Sequence, residues 1–233
     1  MYDLAFTLES YTIPEYEIAT EGINIGGIIT RILSFIKGKV GVIIGLIVGI
    51  LALVMKSKVK AIKEEASSEA AKIRQDCEKL AKVGQKLVNS MYNITRQVKS
   101  IVNFIQGSDK AGNVPTVIEA LTKRNNEGSN ALQNYKEVDG SAHELAFLKV
   151  DEETQNDLLE QKKYLEDISK SIDWIMKKHK VATLSAPSSE YSNQLNNLSK
   201  VIGTSCNLVI NGYTLIKKRI AVYDSLKKQY GND

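Results

Sequence analysis

His143-Glu144-Leu145-Ala146-Phe147 begins like the helix of a zinc protease. That chemistry needs a second histidine one turn on, so that two imidazoles reach one ion. Position 147 is a phenylalanine, and the other histidine, His179, has no second ligand beside it. No metal site is expected, and no cofactor. Glu64-Glu65 and Glu152-Glu153 read as solvated helix faces rather than as catalytic carboxylate pairs. Cys77 and Cys206 lack metal-ligand spacing and fall on apolar helical faces, where a small buried thiol is the ordinary reading. There is no phosphate-binding loop, no dinucleotide fingerprint and no serine or cysteine nucleophile motif. No residue is expected to be catalytic, and the chain does not read as an enzyme. Tyr213, Tyr223 and Tyr230 lie among Lys217, Lys218, Arg219, Lys227 and Lys228. Aromatic residues amid basic ones can bind nucleic acid, but the same spacing fits a bundle stripe flanked by solvated lysines, and nucleic acid is not an expected partner.

The elements around these residues say more. Val40 to Met55 is a run of sixteen residues without a polar side chain, preceded by Lys37 and Lys39 and followed by Lys56, Lys58, Lys60 and Lys63. As a helix it would measure about 24 Å, against a hydrocarbon core of about 30 Å, and flanking lysines can snorkel across the difference. A run apolar on all faces needs apolar surroundings on all faces, which a membrane supplies and a small soluble bundle supplies less readily. The expected membrane segment comprises Val40, Ile43, Ile44, Leu46, Ile47, Val48, Ile50, Leu51, Leu53 and Val54. Gly41, Gly45 and Gly49 recur every fourth residue, a spacing that lets helix backbones approach, and they are expected to form a helix-association face. Lipid is thus the expected partner, together with further copies of the chain or other proteins of the same assembly. Burial of the run within the protein's own bundle is the competing reading.

Composition sets the frame. Among 233 residues, 43% are hydrophobic and 25% charged, as in folded proteins generally. Only three prolines favour long helices. The net charge of +4 is too small to argue for nucleic acid by itself. Residues 1–23 hold Asp3, Glu9, Glu15, Glu17 and Glu21 and no lysine or arginine. That is opposite to the basic start of a secretory signal, so Sec-dependent secretion is not expected.

Six segments follow along the chain. Residues 1–23 form an acidic arm. Residues 24–39 are amphipathic, with Ile25, Ile28, Ile29, Ile32, Leu33 and Ile36 on one side. Residues 40–55 are the hydrophobic helix. Residues 56–106 hold a heptad seam that includes Ile73, Leu80, Leu87, Met91, Ile94, Val98 and Ile101, predicting a helix over Val59–Gln106 roughly 70 Å long. Residues 107–150 read as a connector: Pro115 opens one short helix, Ser129–Tyr135 makes another, and Asn125-Asn126-Glu127-Gly128 supplies turn chemistry between them. Residues 151–233 read as an antiparallel hairpin of two helices, with Leu158, Leu165, Ile168, Ile172, Ile175 and His179 on one stripe and Leu195, Leu198, Ile202, Cys206, Val209, Tyr213, Ile216, Ile220 and Tyr223 on the other. The fold class is therefore all-α: an elongated helical bundle or coiled coil of three long amphipathic helices, with an N-terminal hydrophobic, membrane-type helix.

Ala19-Thr20-Glu21-Gly22 resembles a cleavage site of phage prohead proteases, which cut after glutamate and before a small residue. With its acidic surroundings, the segment is similar to the removable N-terminal pieces of internal head proteins of large tailed bacteriophages. The resemblance implies processing between Glu21 and Gly22, location in a virion or at a host membrane, and a non-enzymatic structural role. A helical pore-forming or lysis-type protein, and a soluble coiled-coil scaffold, remain the alternatives.

Overall fold

The heptad and amphipathic patterns become helices packed side by side. The computed structural model describes residues 25–56, 68–107, 114–137, 152–178 and 189–230. Each of these ranges is one helix: α1 (Ile25–Lys56), α2 (Ser68–Gly107), α3 (Val114–Glu137), α4 (Glu152–Lys178) and α5 (Ser189–Tyr230). Among the described residues there is no strand.

Local chemistry sets the ends. Gly107 closes α2, as glycine commonly does at a helix C-terminus. Pro115 is the second residue of α3, where its missing N–H costs nothing. Lys136 in the last turn of α3 and Glu190 in the first turn of α5 both suit the helix dipole.

Cross-helix contacts give the directions. Asn125 and Tyr135 of α3 meet Ser205 and Arg219 of α5 in the same order, so α3 and α5 run parallel. Gly212 of α5 lies against Leu87 and Met91 of α2, while Cys206 lies level with Ile94 and Val98, so α2 runs against α5. Lys37 of α1 pairs with Asp173 of α4, and Ile43 lies level with Leu165, so α4 runs against α1. The five helices alternate up, down, up, down, up. In cross-section α2 touches α3, α4 and α5; α5 touches α1, α2 and α3; α1 sits between α4 and α5.

Three expectations change. Beside the apolar α1, the described residues hold four long helices where three were expected. The seam residues Leu87, Met91, Ile94, Val98 and Ile101 are all buried, but α2 packs on three other helices, which is a bundle core rather than a two-stranded coiled coil. Ile73 and Leu80 lie on α2, with side chains outside the described set.

The connector is the second difference. Residues 114–137 form one continuous helix straight through Asn125–Gly128. Gly128 makes room instead of a turn: a β-carbon there would stand 2.7 Å from Ile94 Cδ1, 3.1 Å from Leu208 Cδ2 and 3.3 Å from Met91 Cε. Asn125 is buried and turns its amide oxygen to Ser205.

The third concerns residues 151–233. α4 and α5 are antiparallel, but α4 packs on α1 and α2, and α5 packs chiefly on α1 and α3, rather than on each other.

Candidate membrane-contact face

From Val40 to Met55 α1 is apolar on every side, yet the helix has two different faces. Ile32, Leu33, Ile36, Val40, Ile43, Ile47, Ile50 and Leu51 are buried against α4 and α5. These are the bulky residues, spaced by threes and fours. The opposite side carries Ser34, Gly38, Gly41, Val42, Gly45, Val48 and Ala52, all exposed. Val42 is 50% and Val48 44% exposed. Nothing lies within 4 Å of the β-carbon position of Gly38, Gly41 or Gly45. The helix thus lays large side chains on the bundle and leaves a smooth apolar strip outside.

Of the expected membrane segment, Val40, Ile43, Ile47, Ile50 and Leu51 are core residues, while Ile44, Leu46 and Leu53 are half-buried at its margins. Val48 faces out, and the side chain of Val54 lies outside the described set. The three glycines divide. Gly41 and Gly45 are open, but Gly49 is crossed by the side chain of Lys217 from α5, whose Nζ and Cε stand 2.9 and 3.0 Å from where a β-carbon would be.

Charge is one-sided along this surface. Residues 25–56 contain no aspartate or glutamate, and hold Arg31, Lys37, Lys39 and Lys56. Lys37 is bound to Asp173 of α4, and the Lys39 ammonium stands 5.4 Å from the centre of the Phe35 ring. Lys217 of the neighbouring α5 adds positive charge beside Gly49 in the C-terminal half of α1.

The stretch Gly26–Leu53 is long and apolar enough to cross a membrane, although a core helix of a soluble bundle can meet the same criterion. Its length of 28 residues gives about 42 Å of helix. This exceeds the sixteen-residue run because the amphipathic segment continues into it without a break at Gly38.

Elsewhere the described residues offer little chemistry. Among them no three metal-capable side chains gather. Cys206 is buried, and burial pushes its thiol up to about 12. A small cavity of about 10 Å³ lies where Val40, Ile43, Ile94, Thr95, Val98, Leu165, Ser205, Cys206 and Val209 meet. Of the tyrosines set among lysines, Tyr213 is wholly buried in the bundle stripe. His143, His179, Glu64-Glu65, Glu21 and Gly22 lie outside the described residues. No family model, no curated protein and no solved structure matches the chain.

Sequence reasoning separated the two faces of α1 over residues 24–39, where Ile32, Leu33 and Ile36 are indeed buried, but not over residues 40–55. The one available signal was size: positions 34, 38, 41, 45 and 52 are serine, glycine or alanine, at the same steps of three and four that place the bulky residues inward.

Proposed function

We propose that the protein is a non-enzymatic helical structural protein that docks on an anionic membrane through the outer face of α1. The observation that carries this reading is the pair Val42 and Val48, half exposed on a strip where Gly38, Gly41 and Gly45 present no side chain. Contiguous exposed apolar surface marks interaction sites, and the basic residues along α1 and α5, with no acid on α1, complement acidic headgroups. Gly41 and Gly45, uncovered, also suit close approach of a helix from a second copy once the strip is in lipid.

The test is flotation of the intact chain with vesicles of phosphatidylcholine and phosphatidylglycerol. The chain should rise with the anionic vesicles and rise less with phosphatidylcholine alone.

A second reading draws on the inner face of the same helix. Ile36, Ile47 and Ile50 are completely buried, which favours a scaffold in which α1 is simply a core helix. Indifference to vesicles of either composition would select it.

Placement in a phage virion rests on Ala19-Thr20-Glu21-Gly22 alone. Mass spectrometry of native particles should find a chain beginning at Gly22; full-length Met1–Glu21 peptides at equal abundance would remove the virion placement.

A further inference from the structure

Gln161 stands in the middle of the buried stripe of α4, between Leu158 and Leu165, with 0% of its surface exposed. Neither its amide oxygen nor its amide nitrogen has a hydrogen-bond partner among the described residues. The hydroxyl of Tyr213 on α5 is equally buried and equally without one. Both belong to one level of the bundle: α1 lies with Ile43 beside Leu165, Cys206 and Val209 and with Gly49 beside Lys217, which brings Ile47 level with Gln161 on α4 and Tyr213 on α5.

The α3–α5 interface holds both kinds of group: the hydroxyl of Tyr135 is buried there without a partner among the described residues. There the buried amide of Asn125 has its oxygen 2.8 Å from the hydroxyl of Ser205. Polar groups buried without partners destabilise the packed state and recover their hydrogen bonds when water reaches them. Two of these residues, Gln161 and Tyr213, lie on the helices that flank α1.

α1 closes that interior. Val40 and Ile43 pack with Leu165, Cys206 and Val209 around the small cavity, and Ile47, one turn on, is completely buried. The contacts of α2 with α3, α4 and α5, and of α3 with α5, do not pass through α1. Residues 57–67 are its single covalent link to the other four helices. Taking α1 away leaves those four in contact with one another.

We propose that α1 is a releasable helix, which leaves the bundle at a bilayer and enters it with all its faces in lipid, and that the unpaired side chains of Gln161 and Tyr213 keep the packed state weak enough to open. This rests on the membrane reading above and goes past docking. The inner residues Ile36, Val40, Ile43 and Ile47 exchange the bundle core for hydrocarbon and the outer Val42 and Val48 leave water for it, which offsets the loss of cover over Leu165, Cys206 and Val209. Gln161 and Tyr213 gain water. A ligand or surface shifts such an equilibrium only by binding one state better, and a bilayer binds the released helix better because only there is its whole circumference buried.

Cys206 reports the event, since it lines the cavity that α1 covers and is 4% exposed. With Cys77→Ser as background, Cys206 is the only thiol in the chain. Its reaction with dithiodipyridine is followed with and without phosphatidylcholine–phosphatidylglycerol vesicles, and flotation is measured on the same samples. Release should speed the reaction at least about tenfold on vesicles, as local opening exposes a protected group. Gln161→Leu should suppress that acceleration and raise the thermal midpoint by about 4 °C or more. Gln161→Met, closer in shape, should act in the same direction.

A chain that floats with vesicles while Cys206 stays protected docks without releasing α1, which overturns this proposal and spares the docking reading. A chain that does not float overturns both. Equal acceleration in wild type, Gln161→Leu and Gln161→Met would overturn the role given to Gln161.

Discussion

The ammonium of Lys217 on α5 rests 2.9 Å from the point where a β-carbon on Gly49 of α1 would stand. The lysine stem crosses the helix at the one residue of the Gly41–Gly45–Gly49 series that the bundle covers. Gly49 thus serves the packing of α1 inside the molecule, and Gly41 and Gly45 are left to whatever meets it from outside.

The glycines should therefore differ in a single measurement, the thermal midpoint of alanine variants. Gly41→Ala and Gly45→Ala meet no neighbour within 4 Å and lie inside a helix, so each should stabilise by about 1 kcal/mol. Gly49→Ala displaces the flexible end of Lys217, and should gain less. Gly128→Ala pushes a methyl between Ile94, Leu208 and Met91, and should destabilise by about 1–3 kcal/mol as an overpacked core does.

The buried pair of Asn125 and Ser205 gives another test. The Ser205 hydroxyl is 2.8 Å from Asn125 Oδ1 and 2.9 Å from the carbonyl of Val201. With one proton, it can satisfy either. Ser205→Ala leaves the buried amide oxygen without a donor, and denaturant unfolding should show a loss of about 1–3 kcal/mol. Ser129→Ala, exposed on the same α3–α5 half of the bundle, should change stability by less than about 0.5 kcal/mol.

Stability should fall in alkali. Burial pushes the Tyr135 hydroxyl up to about 12, opposed by the guanidinium of Arg219 lying 4.3 Å from the centre of its ring. In the unfolded chain a tyrosine loses its proton near 10. Between those values the unfolded state binds fewer protons than the folded one, so unfolding becomes easier as pH rises. The stabilisation is complete below about pH 10 and is lost toward pH 12. Tyr135→Phe should flatten that part of the pH–stability curve. A curve unchanged by the substitution would remove Tyr135 as the cause.

Much of the bundle was legible because its helices alternate sharply between apolar and polar positions. The heptad steps through Leu87, Met91, Ile94, Val98 and Ile101 identified the buried side of α2, and the ends expected near residues 106, 152 and 230 match the helices found. Asn125-Asn126-Glu127-Gly128 misled because glycine at a tight helix crossing and glycine in a turn are the same residue, and only the partner helix distinguishes them. α1 was opaque for another reason. From Val40 to Met55 it is apolar all round, which gives the hydrophobic pattern no contrast, so the orientation of that part depended on side-chain size. Gln161 left a trace in sequence, the absent apolar residue between Leu158 and Leu165, but an amide at a core position looks like a gap in the stripe until the other helices are in place.

The outer face of α1 is tested most directly by vesicle flotation of the double variant Val42→Asp, Val48→Asp beside wild type and Ile47→Asp. Val42 and Val48 are about half exposed, whereas Ile47 is completely buried. Each carboxylate placed in the hydrocarbon region costs about 2.5–3.5 kcal/mol on insertion scales, with lower costs nearer the interface. Wild type should float with phosphatidylglycerol-containing vesicles. The double variant should keep the wild-type thermal midpoint within a few degrees and remain at the bottom of the gradient. Ile47→Asp should lose several degrees in the absence of any lipid, since it buries an unpaired charge in the bundle. A double variant that floats as well as wild type, or a wild type that stays down with every vesicle composition, would contradict membrane contact through this face.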